Sequence, residues 1–266
     1  MKFDRTRVFN FENAIHGARN PLNSWDKSDS IFNISTGPIY PEDAQIITYF
    51  STHEDDSATS RKDELNSWAG NIKSVEYAKI GPIDKHLLTT LIKCGTCDSK
   101  FLRQIFVSVD ITAPMYLWSE LDTYKVATVA NSTSKMHKLA STPITFDCFE
   151  HDDYKDVSSE KINSAEYWNN LIDYCEYLRT EYNNTKDKKY WKELIRILPE
   201  SWLQTRTWTC NYQTLAAMCS SHQRRNHKLN EWSGIDNYTK ENFIKWARSL
   251  PYAKELIFTD ELEENN

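Results

Sequence analysis

FLRQIFVSVDITAPMYLWSELDTYKVATVANSTSKMHK, residues Phe101–Lys138, contains the patterns of a strand, a turn, a helix and a polar loop in that order. Apolar side chains from Leu102 to Ile111 lie mostly two apart with polar residues between them, which predicts a half-buried strand. Ala113-Pro114 predicts a turn, and the aromatic residues after it predict a helix to about residue 125. The segment Thr128–Lys135 is crowded with hydroxyls and amides, so the whole stretch predicts a scaffold that carries a polar site.

The composition is that of a folded chain that lacks the common glycine-rich nucleotide motifs. With 266 residues, 39% hydrophobic content, 9 Trp, 14 Tyr and 11 Phe, the chain can bury a sizeable core. Only 6 Gly are present, and neither GxGxxG nor GxxxxGK(S/T) occurs. The formal net charge of -6 argues against a nonspecific DNA-binding protein, although it leaves room for a locally basic pocket.

No apolar run reaches the length of a membrane span, and the first residues lack the apolar core of a signal peptide, which predicts a cytoplasmic protein. Six cysteines are scattered along the chain, and we expect reduced thiols. Cys94 and Cys97 form a CxxC without a second pair at zinc spacing, so we predict no metal site. Cys210 and Cys219 lie in no charged setting, and we expect buried apolar roles for both instead of nucleophilic ones.

Helical spacing dominates the rest of the chain, with few strands, which predicts an α+β fold. The predicted helices are Phe11–Arg19, Glu64–Lys73, Ile83–Cys94, Ser158–Asn183, Tyr190–Leu198, Tyr212–Trp232 and Lys240–Ser249. Thr205–Asn211 is rich in β-forming residues and predicts a second strand. Almost no apolar residue lies in Ser51–Lys62, which predicts an exposed loop, and the acidic end of the chain predicts a frayed tail.

Two segments resemble the flavin-dependent thymidylate synthases. In that family a strand that ends in Ala-Pro leads into a helix and then into a signature RHRxxSxxExSxRY. Here Ala113-Pro114 stands at the same offset before TYKVATVANSTSKM, residues Thr123–Met136. Leu198-Pro199, followed by WTCNYQTL at Trp208–Leu215, resembles the LP…WTxNxRSL run of the family, and the helix KHLLTTLIK and the pair Ala18-Arg19 also have counterparts.

The resemblance implies a fold and a domain organisation. It implies a thymidylate synthase-like α+β fold, in which helices pack around a small, mostly antiparallel sheet. Residues 1–266 would form a single domain of this type, with a polar insertion at about residues 25–80 and a frayed acidic tail at about residues 258–266.

Carried over position by position, the resemblance also implies two sets of site residues. The flavin-gripping triplet Arg-His-Arg falls on Thr123, Tyr124 and Lys125, so only its last position keeps a positive charge. The cofactor-binding positions are Gln104, Tyr124, Lys125, Asn211 and Asn226. The nucleotide-binding candidates are Thr128, Asn131, Ser132, Thr133, Ser134, Lys135, His222 and Arg225, and no catalytic residue is identified.

The polar segment has the chemistry of a phosphate site. Hydroxyls and backbone N–H groups can share the oxygens of a phosphate while Lys135 supplies a compensating charge without the two-pronged geometry of arginine. His222 stands where the family has an arginine, and a histidine is charged only part of the time near neutral pH. The donors from His222 to Lys228, placed on one predicted helix, form either a solvated basic face or an anion-binding wall opposite Lys135. A solvated Ser/Thr loop is the alternative for Thr128–Lys135.

Four aromatic residues near these segments could stack on a base or on an isoalloxazine ring. For Trp118 and Trp208 we favour core or interface packing, with Tyr116 left open. Tyr124 is the stronger ligand candidate because it adjoins the polar segment.

The sequence therefore predicts a nucleotide-binding protein that resembles a flavin-dependent thymidylate synthase. If it is an enzyme, FAD, a reduced folate and NADPH would serve the transfer of a one-carbon unit to a deoxyuridine-type monophosphate such as dUMP. The alternative is a non-catalytic protein of the same fold that binds or sequesters a nucleotide. The family implies a homotetramer, and a divergent copy with a polar insertion suits a phage gene acting in the host cytoplasm, with neither nucleic acid nor membrane as partner.

Overall fold

Seven strands form two sheets in the part of the chain that the computed structural model describes, residues 1–36, 41–51, 72–134, 139–151, 157–235 and 238–262. The strands are β1 (Lys2–Phe9), β2 (Ile31–Thr36), β3 (Gln45–Ser51), β4 (Ile72–Lys79), β5 (Phe106–Pro114), β6 (Val129–Ser132) and β7 (Leu203–Asn211). One sheet has the order β1-β5-β7-β6, and the other has the order β2-β4-β3. Both outer strands of the second sheet run antiparallel to β4.

Nine α-helices lie in the same described ranges. They are α1 (Phe11–Arg19), α2 (Pro82–Lys93), α3 (Met115–Leu121), α4 (Ser164–Thr185), α5 (Lys188–Ile197), α6 (Tyr212–Met218), α7 (Asn230–Ser233), α8 (Phe243–Arg248) and α9 (Ala253–Leu256). Helices together with antiparallel strands confirm the predicted α+β class.

Strand β5 forms as its alternation predicts, although it begins later. Val107, Val109 and Ile111 are buried, whereas Phe101 and Leu102 are consecutive buried residues of a 3-10 turn at Lys100–Arg103. Two neighbouring buried side chains suit a turn better than a strand, whose side chains alternate between faces.

Strands β5 and β7 pair in antiparallel fashion through a ladder of short polar side chains. Thr112 and Thr205 join their hydroxyls at 2.7 Å, the Thr207 hydroxyl donates to Asp110 at 2.5 Å, and the Thr209 hydroxyl donates to Ser108 at 3.3 Å. The opposite face of β7 carries Gln204, Arg206 and the buried side chains Trp208 and Cys210. The strand that the sequence predicted at Thr205–Asn211 is confirmed.

The chain divides into two compact units. The smaller unit comprises Met1, Thr112–Thr123 and Asn131–Arg206, and the larger unit comprises Lys2–Ile111, Tyr124–Ala130 and Thr207–Asn266. The core of the smaller unit gathers side chains from α4, α5 and the segment before α4. Its buried members are Leu139, Ile144, Phe149, Cys175, Leu178 and Leu194.

Aromatic rings build much of the core of the larger unit. The rings of Phe3 and Trp246 stack at 4.9 Å, and Phe243 meets Trp232 at 5.0 Å and Trp208 at 6.1 Å, edge to face. Such pairs add about 0.5–1.5 kcal/mol each beyond the burial of their area. Trp208 is a core residue as predicted, and Trp118 is fully buried in the smaller unit.

Several predicted boundaries change. The helices predicted at Phe11–Arg19 and Ile83–Cys94 correspond to α1 and α2, and the helix after Pro114 ends at Leu121 instead of about residue 125. The long helix begins at Ser164, six residues later than predicted, because Asn163 caps it by accepting the backbone N–H of Glu166.

The predicted helix Tyr212–Trp232 is wrong beyond Met218. Residues 219–226 form turns, in which the Arg224 N–H donates to the carbonyl oxygen of Met218 and the Ser220 hydroxyl donates to that of Ala217. The single donor-bearing helix from His222 to Lys228 therefore does not form. Those side chains therefore do not share one helical face.

The region at residues 25–80 contributes β2, β3 and β4, and strand β1 was not predicted. Residues 52–71 lie outside the described residues, with most of the predicted loop Ser51–Lys62 and most of the predicted helix Glu64–Lys73. Residues 72 and 73 belong to strand β4. The last residues, 263–266, are also outside the described part, and a 3-10 turn covers Thr259–Leu262. Among the described residues, no helix is long and apolar enough to span a bilayer.

Candidate functional site

The described part of the polar segment contains the edge strand β6 at Val129–Ser132, where the sequence predicted a loop. Residues 133 and 134 extend it within the smaller unit. The N–H of Thr133 donates to the carbonyl oxygen of Thr205 at 2.9 Å, which continues the pairing of β6 with β7. The carbonyl oxygen of Thr133 accepts the side-chain amide of Gln204 at 2.7 Å. Asn131, Ser132 and Thr133 are exposed. Their amide and hydroxyls can therefore meet a ligand from solvent.

A cavity of about 230 Å³ opens beside this segment within the smaller unit. Apolar side chains and hydroxyls share its wall. The lining residues are Thr133, Ser134, Leu139, Thr142, Pro143, Cys148, Trp202 and Leu203. Lys135, the predicted phosphate cation, lies outside the described residues, and its role stays a prediction.

Tyr124 of the larger unit belongs to a group of three side chains. The Arg224 guanidinium donates from Nε to the Tyr124 hydroxyl at 3.0 Å and lies 5.5 Å from the centre of the Tyr124 ring. The same guanidinium lies 4.5 Å from the centre of the Trp232 ring, which is fully buried. Cation–π contacts of this kind contribute about 0.5–2 kcal/mol. Arg224 therefore holds Tyr124 against the core of the larger unit.

The turn after Tyr124 is held by two hydroxyl groups. Thr128 donates to the carbonyl oxygen of Tyr124, and Thr214 of α6 donates to that of Val126 at 3.1 Å. Ala127 between them has a φ of 56°, an uncommon value for a residue with a Cβ atom. The Thr128 hydroxyl is thus engaged within the turn, where the sequence predicted a phosphate contact.

Arg225 is engaged by two carboxylates of the C-terminal turn. Its guanidinium donates to Asp260 at 2.5 and 3.0 Å and to Glu261 at 2.7 Å. Burial opposes ionisation of Asp260, yet the bonds from Arg225 and from the Ser221 N–H hold the pKa of its carboxyl below the usual range. The bond from Arg248 lowers the pKa of Glu261 in the same way. Arg225 therefore ties the turn at 219–226 to the 3-10 turn at Thr259–Leu262, and its predicted contact with a nucleotide stays a prediction.

Lys125 and His222 are the exposed basic candidates of the larger unit. Neither forms an ion pair among the residues that the structure describes. Lys125 adjoins Tyr124 in the turn, and His222 stands in the segment that carries Arg224. These two side chains can move towards an anion without breaking an existing pair.

The other predicted cofactor residues differ in burial and in their hydrogen bonds. Asn211 is 3% exposed, where its side chain caps α6 by accepting the Thr214 N–H at 2.9 Å and donates to the carbonyl oxygen of Arg103 at 3.4 Å. Gln104 is exposed beside α1, close enough that a methyl group on Gly17 would lie 3.0 Å from its Oε1. Asn226 is exposed and donates to the carbonyl oxygen of Ser221 at 3.2 Å.

At the three positions that the resemblance assigns to the flavin triplet, Lys125 is the one positively charged side chain. Thr123, where the family has an arginine, donates its hydroxyl to the carbonyl oxygen of Glu120 at 2.7 Å. Tyr124 is held by Arg224, and Arg225 is neutralised by carboxylates. Lys125 alone keeps the charge of the family triplet. We therefore derive no chemical step through a flavin.

The three buried cysteines, Cys175, Cys210 and Cys219, have thiols that burial keeps protonated. Burial raises the pKa of Cys210 and Cys219 above the ordinary range, and it raises the pKa of Cys175 to about 11. A thiol with a raised pKa is a poor nucleophile at neutral pH, since the thiolate is the reactive form. The described residues also contain no group of three or more His, Cys, Asp or Glu side chains arranged to hold a metal.

The N-terminal Ala-Arg pair leads to a buried ion pair. Arg19 and Asp84 are 4% and 0% exposed, and their side chains meet at 2.5 Å. Asp84 also accepts the hydroxyls of Ser28 and Ser30 at 2.6 and 2.5 Å. This network joins α1, α2 and the chain between them inside the larger unit.

Sequence reasoning missed two residues that organise these segments. Arg224 was one donor among several in a predicted helix, and only its place against Tyr124 and Trp232 distinguishes it from Arg225. Gln204 gave no signal, because its partner is a backbone carbonyl 71 positions away in the chain. A local pattern cannot reveal such a contact.

Comparison with solved structures identifies the fold. No protein-family model matches the sequence, and a search of curated proteins finds no significant match. The flavin-dependent thymidylate synthase ThyX of Helicobacter pylori, complexed with FAD and dUMP, matches with a TM-score of 0.55 at 14% identity over 98% of this chain and 99% of that one. A second structure of the same enzyme with FAD and dUMP matches with a TM-score of 0.55 at 13% identity over 99% of both chains. The chain therefore has the fold of the flavin-dependent thymidylate synthases over nearly its whole length.

Proposed function

We propose that this protein binds a deoxyuridine-type nucleoside monophosphate. The observation that carries the proposal is the fold. It matches structures of an enzyme complexed with FAD and dUMP over nearly the full length of both chains. The segment that resembles the family signature supports it, because Asn131, Ser132 and Thr133 present donors to solvent.

The phosphate would be held mainly by neutral donors. Hydroxyls and amides of the segment 131–134 would share its oxygens, with charge from Lys135. Within the larger unit, His222 and Arg224 are separate candidates for contact with an anion, and only Arg224 stays charged at every physiological pH. We expect a weaker phosphate grip than two arginines would give.

Flavin-dependent transfer of a one-carbon unit is the second candidate function. The fold favours it, since the solved structures of that fold contain FAD, and Lys125 keeps one of the three flavin-gripping charges. The pairing of Tyr124 with Arg224 disfavours it. A reduced folate and NADPH belong to this candidate only. Without flavin, the protein would sense or sequester the nucleotide.

Spectroscopy and calorimetry separate the two functions. The visible spectrum of the dialysed protein, before and after addition of FAD, reports flavin binding, and release of tritium from labelled dUMP reports turnover. Titration with dUMP, and with deoxyuridine as the control that lacks the phosphate, reports nucleotide binding. We expect dUMP to bind and deoxyuridine to bind much more weakly. Absence of dUMP binding at millimolar concentration would refute the proposal.

The domain and assembly expectations remain part of the proposal. A single domain with an inserted sheet predicts one cooperative unfolding transition, although the two compact units could unfold separately. The homotetramer implied by the family predicts four chains per particle, which sedimentation velocity measures. A monomer would remove any shared site between copies from the proposal.

A further inference from the structure

Two side chains on one face of β7 hold both ends of the segment that the proposed function depends on. The chain leaves the smaller unit after Thr123 and re-enters it at Asn131. Gln204 and Arg206, two residues apart on the strand, contact Thr133 beyond one end of this segment and Asp122 before the other. We infer that Gln204 and Arg206 are positioning residues, a clamp that fixes Asp122 and the residues Asn131–Thr133 for binding of the nucleotide phosphate.

Gln204 grips the end that carries the hydroxyls. Its side chain is 6% exposed, and its amide donates to the carbonyl oxygen of Thr133 at 2.7 Å. The backbone of Thr133 is fixed at a second atom, because its N–H donates to the carbonyl oxygen of Thr205 at 2.9 Å. The carbonyl oxygen of Gln204 accepts the indole N–H of the buried Trp118 at 2.9 Å. Thr133 is thus tied to the core of the smaller unit.

Arg206 grips the other end and orients Gln204. Its guanidinium donates to both oxygens of Asp122 at 3.1 Å and from Nε to Oε1 of Gln204 at 2.9 Å. The guanidinium also lies 4.4 Å from the centre of the Trp118 ring. A planar fork that binds a carboxylate, an amide and an aromatic face at once is a geometry that lysine cannot reproduce.

The end of the segment that carries the hydroxyls has little side-chain packing of its own. Asn131, Ser132 and Thr133 are exposed, whereas Tyr124 and Thr128 are half-buried and hydrogen-bonded within the larger unit. The direction of Asn131, Ser132 and Thr133 is therefore not set by a core around them. Because ordering a loose segment on binding costs free energy, a clamp that orders it beforehand increases affinity for the phosphate.

This inference rests on the proposed function, and two variants test it. Gln204→Glu keeps the size of the side chain and an acceptor for Arg206, but it removes the donor to the Thr133 carbonyl. Arg206→Lys keeps the charge but loses the fork. Arg196→Gln is the matched control, since Arg196 forms an exposed ion pair with Glu193 in the same unit. Thermal unfolding first establishes that each variant is folded.

Calorimetric titration with dUMP and deoxyuridine gives the decisive comparison. We expect each clamp variant to lose roughly tenfold in affinity for dUMP, the equivalent of one buried hydrogen bond. Affinity for deoxyuridine should stay within twofold, because a positioning role acts through the phosphate. Unchanged dUMP affinity in both folded variants, or an equal loss for both ligands, would overturn the inference.

Amide hydrogen exchange at Thr133 makes the clamp testable separately from the proposed function. If the wild-type protein binds neither ligand, the proposed function fails, and the exchange rate still decides whether the clamp orders the segment. We expect faster exchange in Gln204→Glu than in the wild type and in Arg196→Gln. An equal rate in all three proteins would overturn the clamp.

Discussion

Asp84 is a buried carboxylate whose neighbours are arranged to keep it charged. Burial opposes ionisation, yet hydrogen bonds from Ser28, Ser30 and Arg19 hold the pKa of Asp84 below its usual range. Arg19 in turn donates to the carbonyl oxygens of Ser24 and Lys27 at 3.1 Å each. A buried pair contributes little relative to an apolar replacement, but loss of one partner leaves a buried charge without compensation.

Replacement of Asp84 therefore has a large predicted effect. We expect Asp84→Asn to reduce the free energy of unfolding by about 3–5 kcal/mol, because Arg19 stays buried without a counter-charge. Urea denaturation followed by fluorescence measures the change. Glu193→Gln, which breaks the exposed pair with Arg196, should cost less than about 1 kcal/mol. Equal losses in the two variants would show that burial does not increase the cost of breaking the Arg19–Asp84 pair.

The same carboxyl predicts the direction of a pH effect. Because the pKa of Asp84 is lower in the folded state, its stabilisation is complete above the unfolded-state value, near 3.8, and is lost as the pH falls through the folded-state pKa. The stability of the wild-type protein should decline below about pH 4 more steeply than that of Asp84→Asn. Unfolding curves from pH 6 to pH 2 measure both slopes. Parallel slopes would exclude Asp84 as a contributor.

Neighbouring arginines should differ sharply in their effect on binding. Arg224 holds Tyr124, whereas Arg225 is bound by Asp260 and Glu261. We expect Arg224→Gln to weaken dUMP binding at least tenfold, because it removes a permanent charge and releases Tyr124. Arg225→Gln should chiefly reduce stability, by about 1.5–3 kcal/mol. Calorimetry and denaturation of both variants measure this contrast, and the reverse ranking of affinities would contradict the proposed site.

At the scale of elements, α6 depends on a single buried cap. The Asn211 side chain accepts the backbone N–H of Thr214 and donates to the carbonyl oxygen of Arg103. We expect Asn211→Ala to destabilise the protein by about 1–2 kcal/mol, and Asn211→Asp, which keeps the acceptor, to cost less. Thermal unfolding compares the two. If both cost the same, the bond to Arg103 outweighs the cap.

Some elements could be predicted because their signals are local. Helix α2 begins at Pro82 and ends before Gly95, and β5 shows its alternation in the sequence. The end of α6 could not be predicted, since the turns after Met218 are held by carboxylates of residues 260 and 261, far along the chain. Strand β6 has four exposed residues, so no buried side chain marks it. Its pairing with β7 is a tertiary contact.

The residues of the candidate site also differ in whether a local sequence pattern could reveal them. Tyr124 adjoins the polar segment in the sequence, and its selection as a ligand candidate required only that proximity. Its pairing with Arg224, 100 positions away, required the fold. Gln204 and Arg206 act through a backbone carbonyl and a carboxylate, so their role depends on geometry alone.

For the whole molecule, the fold is compatible with both flavin chemistry and nucleotide binding, whereas the site residues favour nucleotide binding. The fold covers nearly the full length of structures of an enzyme complexed with FAD and dUMP. The side chains at the flavin positions lack the charge that the family triplet supplies, whereas the donors of the 131–134 segment remain exposed. Nucleotide binding therefore depends on fewer of the replaced residues than flavin chemistry does.

A hydrogen-exchange footprint of dUMP on the wild-type protein tests this account most directly. Exchange is measured with and without saturating dUMP, and with deoxyuridine as the control. We expect slower exchange at residues 131–134 with dUMP, and this protection should depend on the phosphate. Protection confined to other regions, or no protection by dUMP at any concentration, would contradict it.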